Sequence, residues 1–307
     1  MSDEAEVRRA DEDALLTDVG AVELERDVLA VQGPDAASFL QGQLSQDLAA
    51  LAVGASADSL LLEPTGRMVA LVRVTRRGDD DFVLDTDAGA GPLVLERLKR
   101  FKLRTKADLE PLDWRGVAVR GPRAHAVAPE GLGADWPGWP GVDLLGPDVQ
   151  APAGVRRCSP EAYESVRIEM GVPRTGPELD ERTIPEEAGV VRRAVSFAKG
   201  CYTGQELVAR IDSRGGNVPR RLRRLVLTGA TVPLRGAEVL VDGKVVGVLT
   251  SAAWSGRRRA PVALAYLGRA VEVPASVVVR SDGTEATAVA EALPAEPPPA
   301  ADDPAAR

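Results

Sequence analysis

The sequence predicts an α+β fold that ends in a small antiparallel β-barrel or sandwich. In the first two thirds of the chain, helical patterns such as GPDAASFLQGQLSQDL alternate with strand patterns such as SLLLEPTGRMVALVRV. After about residue 222 the sequence changes to short β-runs and turns, with Asp-Gly pairs at 242–243 and 282–283 between alternating segments. Asp-Gly between such segments is a strong indicator of a two-residue hairpin turn. An α+β region followed by an all-β region is therefore expected.

The individual elements follow from local patterns. Pro34 suits the first turn of a helix, and the Pro64-Thr65-Gly66 turn separates the two apolar runs of a hairpin. FVLDT, WRGVAVRG and VDLLG are typical of strands, and PLVLERLKRF of an amphipathic helix. A further helix is expected after Ser159, a suitable N-cap, with Pro160 at its first position. We predict a loose acidic leader at 1–18, an α+β region at 19–222, a barrel at 223–290 and a disordered tail at 291–307.

Composition narrows the kinds of function. The formal net charge is −8, so no overall field attracts nucleic acid. One histidine, His125, and two cysteines, Cys158 and Cys201, are too few for a classical zinc site without carboxylates. His125 stands in a loop-like segment and is interpreted as a surface residue. No apolar run is long enough to cross a bilayer, and the polar segment MSDEAEVRRADED lacks the apolar core of a secretory signal. A cytoplasmic protein is expected.

One arginine-rich stretch, RGGNVPRRLRR at 214–224, could contact RNA phosphates. It has no interleaved aromatic residues on which bases could stack. We therefore interpret it as a solvated linker between domains, and direct contact with RNA is not expected.

The segment SFAKGCYTGQELVARIDSRGG contains the features that activate a cysteine. Thr203 and Glu206 fit a capping box that opens a helix, which would place Cys201 two residues before the helix N-terminus. Backbone N–H groups at that end, together with the cation of Lys199, would favour the thiolate. Cys158 lacks comparable neighbours and is interpreted as a packing residue.

The motif KGCYTGQE, followed by VAR, resembles the signature of the YgfZ proteins, which are relatives of the glycine-cleavage T-protein. The resemblance extends over roughly residues 20–290 and includes VQGPDAASFLQGQLSQDL, EPTGRMVALVRV and VRIEMGVPRTGPELDERTIPEEAG. It implies a T-protein-like ring of three domains around a central folate pocket, with two intertwined α+β subdomains at 19–222. The motif residues that would support Cys201 are Lys199, Gly200, Tyr202, Thr203, Gly204, Gln205, Glu206 and Arg210.

The resemblance also implies a cofactor, tetrahydrofolate or a derivative, and residues to hold it. Arg167 and Glu169 match an Arg-x-Glu-x-Gly motif of the T-proteins, in which the glutamate takes part in pterin binding. A carboxylate suits the adjacent N–H groups at the edge of a pterin. Glu187 lies in the matching Pro-x-Glu-Ala motif, and Arg67 and Arg104 are candidates for the anionic glutamyl tail.

The sequence departs from the T-proteins at the acidic pair used for aminomethyl transfer. Ala70 and Leu71 stand at the corresponding positions, and neither side chain can move a proton. The T-proteins in turn lack the cysteine of KGCYTGQ. A working aminomethyltransferase is therefore disfavoured, and the role of the chain is expected to have diverged.

Three hypotheses remain at this stage. The first is a folate-binding protein that supports assembly or repair of iron–sulfur enzymes, and indirectly tRNA thiolation, with Cys201 as nucleophile, redox group or transient cluster ligand. The expected partners are then folate and iron–sulfur enzymes or cluster-assembly proteins, and no membrane. A lone cysteine cannot hold a stable cluster, so any cluster would be shared. The alternatives are a tetrahydrofolate-dependent aminomethyltransferase and a tRNA-linked binding module without chemistry.

Overall fold

The computed structural model describes residues 3–294, which form two β-sheets with flanking helices and a closed β-barrel. The helices, in chain order, are α1 Asp3–Thr17, α2 Ala36–Gln43, α3 Gly91–Phe101, α4 Ala124–Val127, α5 Pro160–Met170, α6 Val191–Ala194 and α7 Gln205–Asp212. The strands are β1 Gly20–Leu24, β2 Arg26–Gln32, β3 Ser56–Leu62, β4 Met68–Arg76, β5 Asp81–Asp87, β6 Asp108–Leu112, β7 Arg115–Arg120, β8 Leu132–Gly133, β9 Gly141–Gly146, β10 Arg156–Arg157, β11 Arg220–Leu227, β12 Glu238–Val241, β13 Lys244–Ser255, β14 Ala260–Gly268, β15 Ala275–Ser281 and β16 Thr284–Glu291. These elements confirm the mixed fold with a C-terminal barrel.

The chain alternates between the two sheets. It begins in the first sheet, of order β10-β1-β7-β9-β8, with β1 alone. It then builds the whole second sheet, of order β3-β4-β5-β2-β6, before it returns to the first sheet with β7. Helices α2 and α3 cover the second sheet, where Phe39, Leu40, Val94 and Leu98 pack against apolar strand residues. Each such side chain contributes about 1.5–3 kcal/mol when it is fully buried.

The barrel closes in the order β11-β14-β13-β12-β15-β16. Both Asp-Gly pairs lie at hairpin turns, as predicted, and all four residues have positive φ: 49° at Asp242, 75° at Gly243, 50° at Asp282 and 74° at Gly283. This conformation matches the right-handed twist of the flanking strands, which explains why these pairs indicated hairpins. Helix α5 joins the units, because its buried face packs against α1, the first sheet and the β13–β14 hairpin.

The prediction of a loose leader at 1–18 was wrong for residues 3–17, which form α1. The carboxylate of Glu12 is fully buried and accepts hydrogen bonds from the Ser165 hydroxyl at 2.7 Å and from the backbone N–H groups of Gly256 and Arg257 at 3.0 and 2.8 Å. Asp11 accepts a bond from the Ser159 N–H at 2.9 Å. The acidic residues therefore clamp α1 between α5 and the barrel.

Two further boundaries differ from the predictions. The stretch 214–224 is not only a linker, because its second half is β11, where Arg220, Arg221 and Arg224 pair with Glu187, Glu186 and Glu291. Most of the tail predicted at 291–307 lies outside the described residues, but Glu291 ends β16 and Leu293 lies against Gly171 at the end of α5.

Candidate functional site

A cavity of about 1460 Å³ lies between the two sheets, α5 and the barrel. The second sheet contributes Leu71 and Arg73 from β4, and the first sheet contributes Arg120 and Asp143 from β7 and β9. The barrel contributes Trp254 from β13. All three units of the fold thus form its wall, in agreement with the expected central pocket.

A buried ionic network forms one side of this cavity. Asp85, which is fully buried, accepts hydrogen bonds from the guanidinium groups of Arg26 and Arg73 at 2.5–3.1 Å. Arg73 also donates to Oδ2 of Asp143 at 2.9 Å, and Nη1 of Arg120 lies 2.8 Å from Oδ1 of Asp143. Burial opposes the charge of Asp143, but Arg120, Arg73 and Arg26 outweigh burial and hold the pKa of this carboxyl well below its usual range. Asp143 is therefore ionised at neutral pH.

Asp143 also offers an acceptor to a ligand. Its Oδ1 atom is buried and receives no hydrogen bond of good geometry within the described part of the chain, despite its contact with Arg120. The charge of Arg120 compensates part of the hydration that Oδ1 has lost, but a well-aligned donor would still be favourable there. A ligand with N–H groups along one edge would satisfy Oδ1 of Asp143.

Aromatic side chains form another part of the cavity wall: Trp114, Trp136, Tyr163 and Trp254. The guanidinium of Arg193 lies 3.6 Å from the ring centroid of Trp136, and that of Arg120 lies 5.7 Å from the ring of Tyr163. Flat cationic and aromatic groups favour stacking with a flat ligand. The cavity therefore suits a heteroaromatic ring with an N–H edge, such as a pterin.

Only one predicted folate-binding residue, Arg167, reaches this cavity. Its guanidinium donates to both carboxylate oxygens of Glu164 at 2.6 and 2.8 Å, to Glu178 at 3.3 Å and to the Val172 carbonyl at 2.5 Å. Because its donors are occupied, Arg167 orients Glu164, a half-buried carboxylate on the cavity wall that also accepts a bond from Arg174.

The other predicted folate-binding residues lie outside the cavity wall. Glu169 faces the barrel, where it pairs with Arg258 at 2.9 Å and accepts a bond from Ser255 at 3.4 Å. Glu187 pairs with Arg220 at 3.0 Å. Both carboxylates are buried where units of the fold meet, and each pairs there with an arginine.

The two arginines proposed for a glutamyl tail are both exposed. Arg67 follows the β3–β4 turn and donates to the carbonyl of Arg182. Arg104 lies in the loop after α3 with a φ of 57°. Neither residue is part of the cavity wall.

The positions of the missing acidic pair are well defined. Ala70 is fully buried in the core of the second sheet, whereas Leu71 lines the cavity. The N–H of Leu71 lies 3.5 Å from the Thr175 hydroxyl, and its carbonyl accepts a bond from Thr86 at 2.8 Å. An apolar side chain therefore occupies this position of the cavity wall.

Cys201 is exposed and is not part of the cavity wall. It lies in the loop 195–204 between α6 and α7, which we call the cysteine loop. The ammonium of Lys199 donates to three backbone carbonyls after and within the last turn of α2: Gln41 at 2.7 Å, Leu44 at 2.6 Å and Gln46 at 2.9 Å. Burial lowers the pKa of Lys199 to about 8, yet the three acceptors favour the charged form that they bind.

The other side of the cysteine loop is also anchored. The N–H of Thr203 donates to the Gly42 carbonyl at 3.1 Å, and the N–H of Tyr202 donates to the Gln205 side chain at 3.1 Å. The ring of Tyr202 is half-buried in an apolar cluster, and burial raises the pKa of this phenol to about 12. An exposed thiol is thus carried by a loop whose two ends are both fixed.

Two glycines allow α7 to begin against the β3–β4 turn. Gly204 has a φ of 86° and Gly66 a φ of 80°, and a Cβ at Gly204 would overlap the carbonyl of Glu63. A Cβ at Gly66 would overlap Leu207 and the carbonyl of Gly204. The glycines of the two motifs, TGQE and PTGR, therefore serve one close backbone contact.

The predicted capping box is absent. Gly204, not Thr203, precedes the first residue of α7, and no side chain caps this end. Thr203 instead bonds to Gly42, and the side chains of Glu206 and Arg210 are exposed. A left-handed Gly204 changes the chain direction before the helix, so Cys201 lies three residues before the N-cap of α7 rather than two. Gly200 has open space around it.

The remaining candidate groups have simple environments. Cys158 is buried, and burial raises the pKa of its thiol to about 11. His125 is exposed and lies 2.8 Å from Asp135. Among residues 3–294, no cluster of three or more His, Cys, Asp or Glu side chains could hold a metal ion, and no helix is long and apolar enough to cross a membrane.

Three further residues of the cavity wall were not predicted from the sequence: Arg73, Asp143 and Arg193. For two of them, the sequence contains a pattern from which a site could have been predicted. Arg73 interrupts the apolar run MVALVRV, and Asp143 interrupts GVDLLG. A charged residue inside an otherwise apolar strand has to be paired or functional. No local pattern distinguishes Arg193 from its neighbour Arg192.

Comparison with known proteins agrees with this architecture. The GCVT N-terminal domain family matches residues 2–136, and the glycine cleavage T-protein C-terminal barrel domain family matches residues 220–295. The solved structure of the glycine cleavage system aminomethyltransferase T from Bartonella henselae superposes with a TM-score of 0.78 at 20% identity, over 94% of this chain and 89% of that one. This superposition supports the fold alone.

Curated relatives narrow the family. An uncharacterized protein from Haemophilus influenzae is 31% identical, over 62% of this chain and 67% of its own length. The tRNA-modifying protein YgfZ of Edwardsiella ictaluri is 29% identical, over 61% of this chain and 65% of its own length. The mitochondrial iron-sulfur cluster assembly factor IBA57 homolog of Neurospora crassa is 29% identical, over 62% of this chain and 49% of its own length. The chain belongs to the glycine-cleavage T-protein superfamily, as a GcvT-like protein of the YgfZ type.

Proposed function

We propose that this protein binds a reduced folate in the central cavity and uses Cys201 to support the assembly or repair of iron–sulfur enzymes, with an indirect effect on tRNA thiolation. The observation that carries the proposal is the exposure of Cys201 on a loop anchored at both ends. The names of two relatives, a tRNA-modifying protein and an iron–sulfur cluster assembly factor, support the same pathway.

The cavity supports a folate ligand through its chemistry. Asp143 would accept from the N–H edge of the pterin, Trp136 and the guanidinium of Arg193 would stack with the ring, and Glu164 with Arg174 would lie near other polar groups of the ligand. Bound tetrahydrofolate would supply a carrier for one-carbon groups. The residues of this chain would bind and orient the ring and exclude water from it.

The thiol is proposed to act outside the cavity. A single thiolate cannot hold a stable cluster, so Cys201 would contribute one ligand to a cluster that a partner shares. Its exposure allows a partner to approach, and the anchored loop reduces the entropy that a flexible thiol would lose on binding. The expected partners are iron–sulfur enzymes or cluster-assembly proteins in the cytoplasm.

The folate proposal is tested by calorimetry with tetrahydrofolate and its formyl and methyl derivatives. Asp143→Asn removes the charged acceptor, and we expect affinity to fall by about 2 kcal/mol or more, roughly thirty-fold. Trp136→Leu tests the same cavity without disturbing the ionic network. Glu169→Gln is the matched control, because Glu169 pairs with Arg258 outside the cavity wall. A loss of affinity only in Glu169→Gln would instead support the site predicted from the Arg-x-Glu motif.

The thiol proposal is tested by complementation of a strain that lacks this protein. Cys201→Ser should leave the fold and folate affinity unchanged, because the side chain is exposed, but should fail to sustain iron–sulfur enzyme activity. Cys158→Ala is the control for loss of a thiol as such. Full rescue by Cys201→Ser would remove the sulfur from the mechanism.

The alternative, aminomethyl transfer in glycine cleavage, is supported by the many relatives named aminomethyltransferase, including one from Streptomyces avermitilis. Leu71 in the cavity wall counts against it, since it cannot move a proton. We expect no methylenetetrahydrofolate when the purified protein replaces the T-protein in a reconstituted assay. Robust formation of this product would restore the transferase hypothesis.

A further inference from the structure

The cavity and the cysteine loop are joined by two short groups of hydrogen bonds, which peptide bonds of β3 and α6 connect. At the cavity end, Arg193 of α6 stacks on Trp136 and donates to Asp58 of β3 at 2.6 and 2.8 Å. Both Asp58 and Arg193 line the cavity. They lie next in sequence to Ser59 and Ala194, which belong to the second step of the connection.

That second step is a pair of buried hydroxyl groups. Ser45 and Ser59 are both fully buried, and their oxygens lie 3.4 Å apart. The Ser45 hydroxyl donates to the Ala194 carbonyl at 2.6 Å and accepts from the Leu60 N–H at 2.8 Å. The Ser59 hydroxyl accepts from the Gln46 N–H at 3.0 Å. Ser45 therefore ties α6 to β3 and to the segment that follows α2.

The third step leads to the loop that carries the thiol. The Ser45 carbonyl accepts a bond from the Ser196 N–H at 3.0 Å, at the start of the cysteine loop. The neighbouring carbonyls of Leu44 and Gln46 hold the ammonium of Lys199, two residues before Cys201. A displacement of α6 or of β3 at the cavity would therefore move the acceptors that hold the loop.

We propose that a ligand in the central cavity controls how firmly the cysteine loop is held, with Ser45 and Lys199 as the positioning residues for Cys201. The identity of that ligand as a reduced folate rests on the function proposed above. The loop exchanges between a docked form, with Lys199 on its three carbonyls, and an undocked form. A ligand that contacts Arg193 and Trp136 stabilises the docked form, because it fixes the α6 end of the connection.

The test measures hydrogen exchange at the Ser196 and Thr203 amides, which bond to Ser45 and Gly42 in the docked loop. In the protein without ligand, Arg193→Gln should accelerate exchange at both amides roughly two- to thirty-fold, the range expected for such couplings. Arg174→Gln is the control, because Arg174 lines the same cavity but bonds to Glu164 on α5. It should leave both amides unchanged.

Combining the Ser45 and Arg193 substitutions distinguishes coupling between these residues from independent local effects on amide exchange. Ser45→Ala should accelerate exchange at both amides, and adding Arg193→Gln should have little further effect, because the connection is already broken. Tetrahydrofolate should slow exchange in the unaltered protein but not in Ser45→Ala. Lys199→Met, which alters the half-buried end of the connection, should also lose the ligand effect at Thr203 and leaves the fully buried Ser45 in place.

The outcomes distinguish this inference from the proposed function. Unchanged exchange in Arg193→Gln, or simple addition of the Arg193 and Ser45 effects, would overturn the coupling even if calorimetry shows folate binding. Coupling between these variants without any folate binding would support the connection and remove folate from the proposed function.

Discussion

Replacing Lys199 by methionine tests whether the ammonium holds the cysteine loop. Methionine keeps an unbranched apolar stem but loses the donors that serve the carbonyls of Gln41, Leu44 and Gln46 at 2.6–2.9 Å. A hydrogen bond to a charged group stabilises the folded protein by about 1.5–3 kcal/mol. The substitution removes these bonds and leaves the carbonyls without their donor. The site is only half-buried, so water will reach some of these carbonyls. We therefore expect a total loss of about 2–3 kcal/mol rather than three full contributions.

The assay is thermal unfolding followed by circular dichroism, with folate affinity measured in parallel. A loss of this size should lower the midpoint by roughly 3–5 °C in a chain of this length. Lys244→Met is the matched control, because Lys244 is exposed at the start of β13 and has no side-chain partner among the described residues. Equal midpoints for Lys199→Met, Lys244→Met and the unaltered protein would show that the ammonium does not hold the loop, and the anchored-thiol reasoning would fail with it.

Two other predictions concern stability and thiol accessibility. Glu12→Gln should lower the free energy of unfolding by about 2–3 kcal/mol, because three donors face a buried carboxylate. The exposed Glu4→Gln is the control and should leave this free energy unchanged. Urea unfolding measures both variants, and equal values would show that Glu12 does not hold α1 in place. Mass spectrometry after alkylation at pH 8 should find Cys201 modified and Cys158 unmodified in the folded protein, since Cys158 is buried and its pKa is raised to about 11. Rapid labelling of Cys158 would contradict the close packing of its sulfur against Gly20.

Local patterns predicted those elements whose conformation is decided by a few neighbouring residues. The Asp-Gly turns require positive φ and were found with it. Ser159 caps α5 by accepting a bond from the Ala162 N–H at 3.2 Å, with Pro160 in the first turn, as predicted. In both cases the physical cause lies within four residues of the chain.

The sequence failed where distant partners decide the outcome. The leader is polar and acidic, which is typical of disorder, but Glu12 finds its donors at Ser165 and Gly256, far along the chain. Thr203 and Glu206 fit a capping box, yet the close approach of Gly66 to Gly204 imposes a left-handed residue between them. Glu169 matches a folate motif and pairs with Arg258 of the barrel, a contact that the sequence did not reveal, and its role in folate binding stays a prediction.

The positions of Leu71 and Cys201 bear directly on the proposed function. Leu71 places an apolar side chain in the cavity wall, among charged and aromatic residues that suit a flat ligand. The exposed thiol lies outside this wall. Cavity and thiol must therefore communicate through the protein if both serve one function. Ser45 is the residue at which their hydrogen bonds meet, since its hydroxyl bonds to α6 and its carbonyl to the cysteine loop.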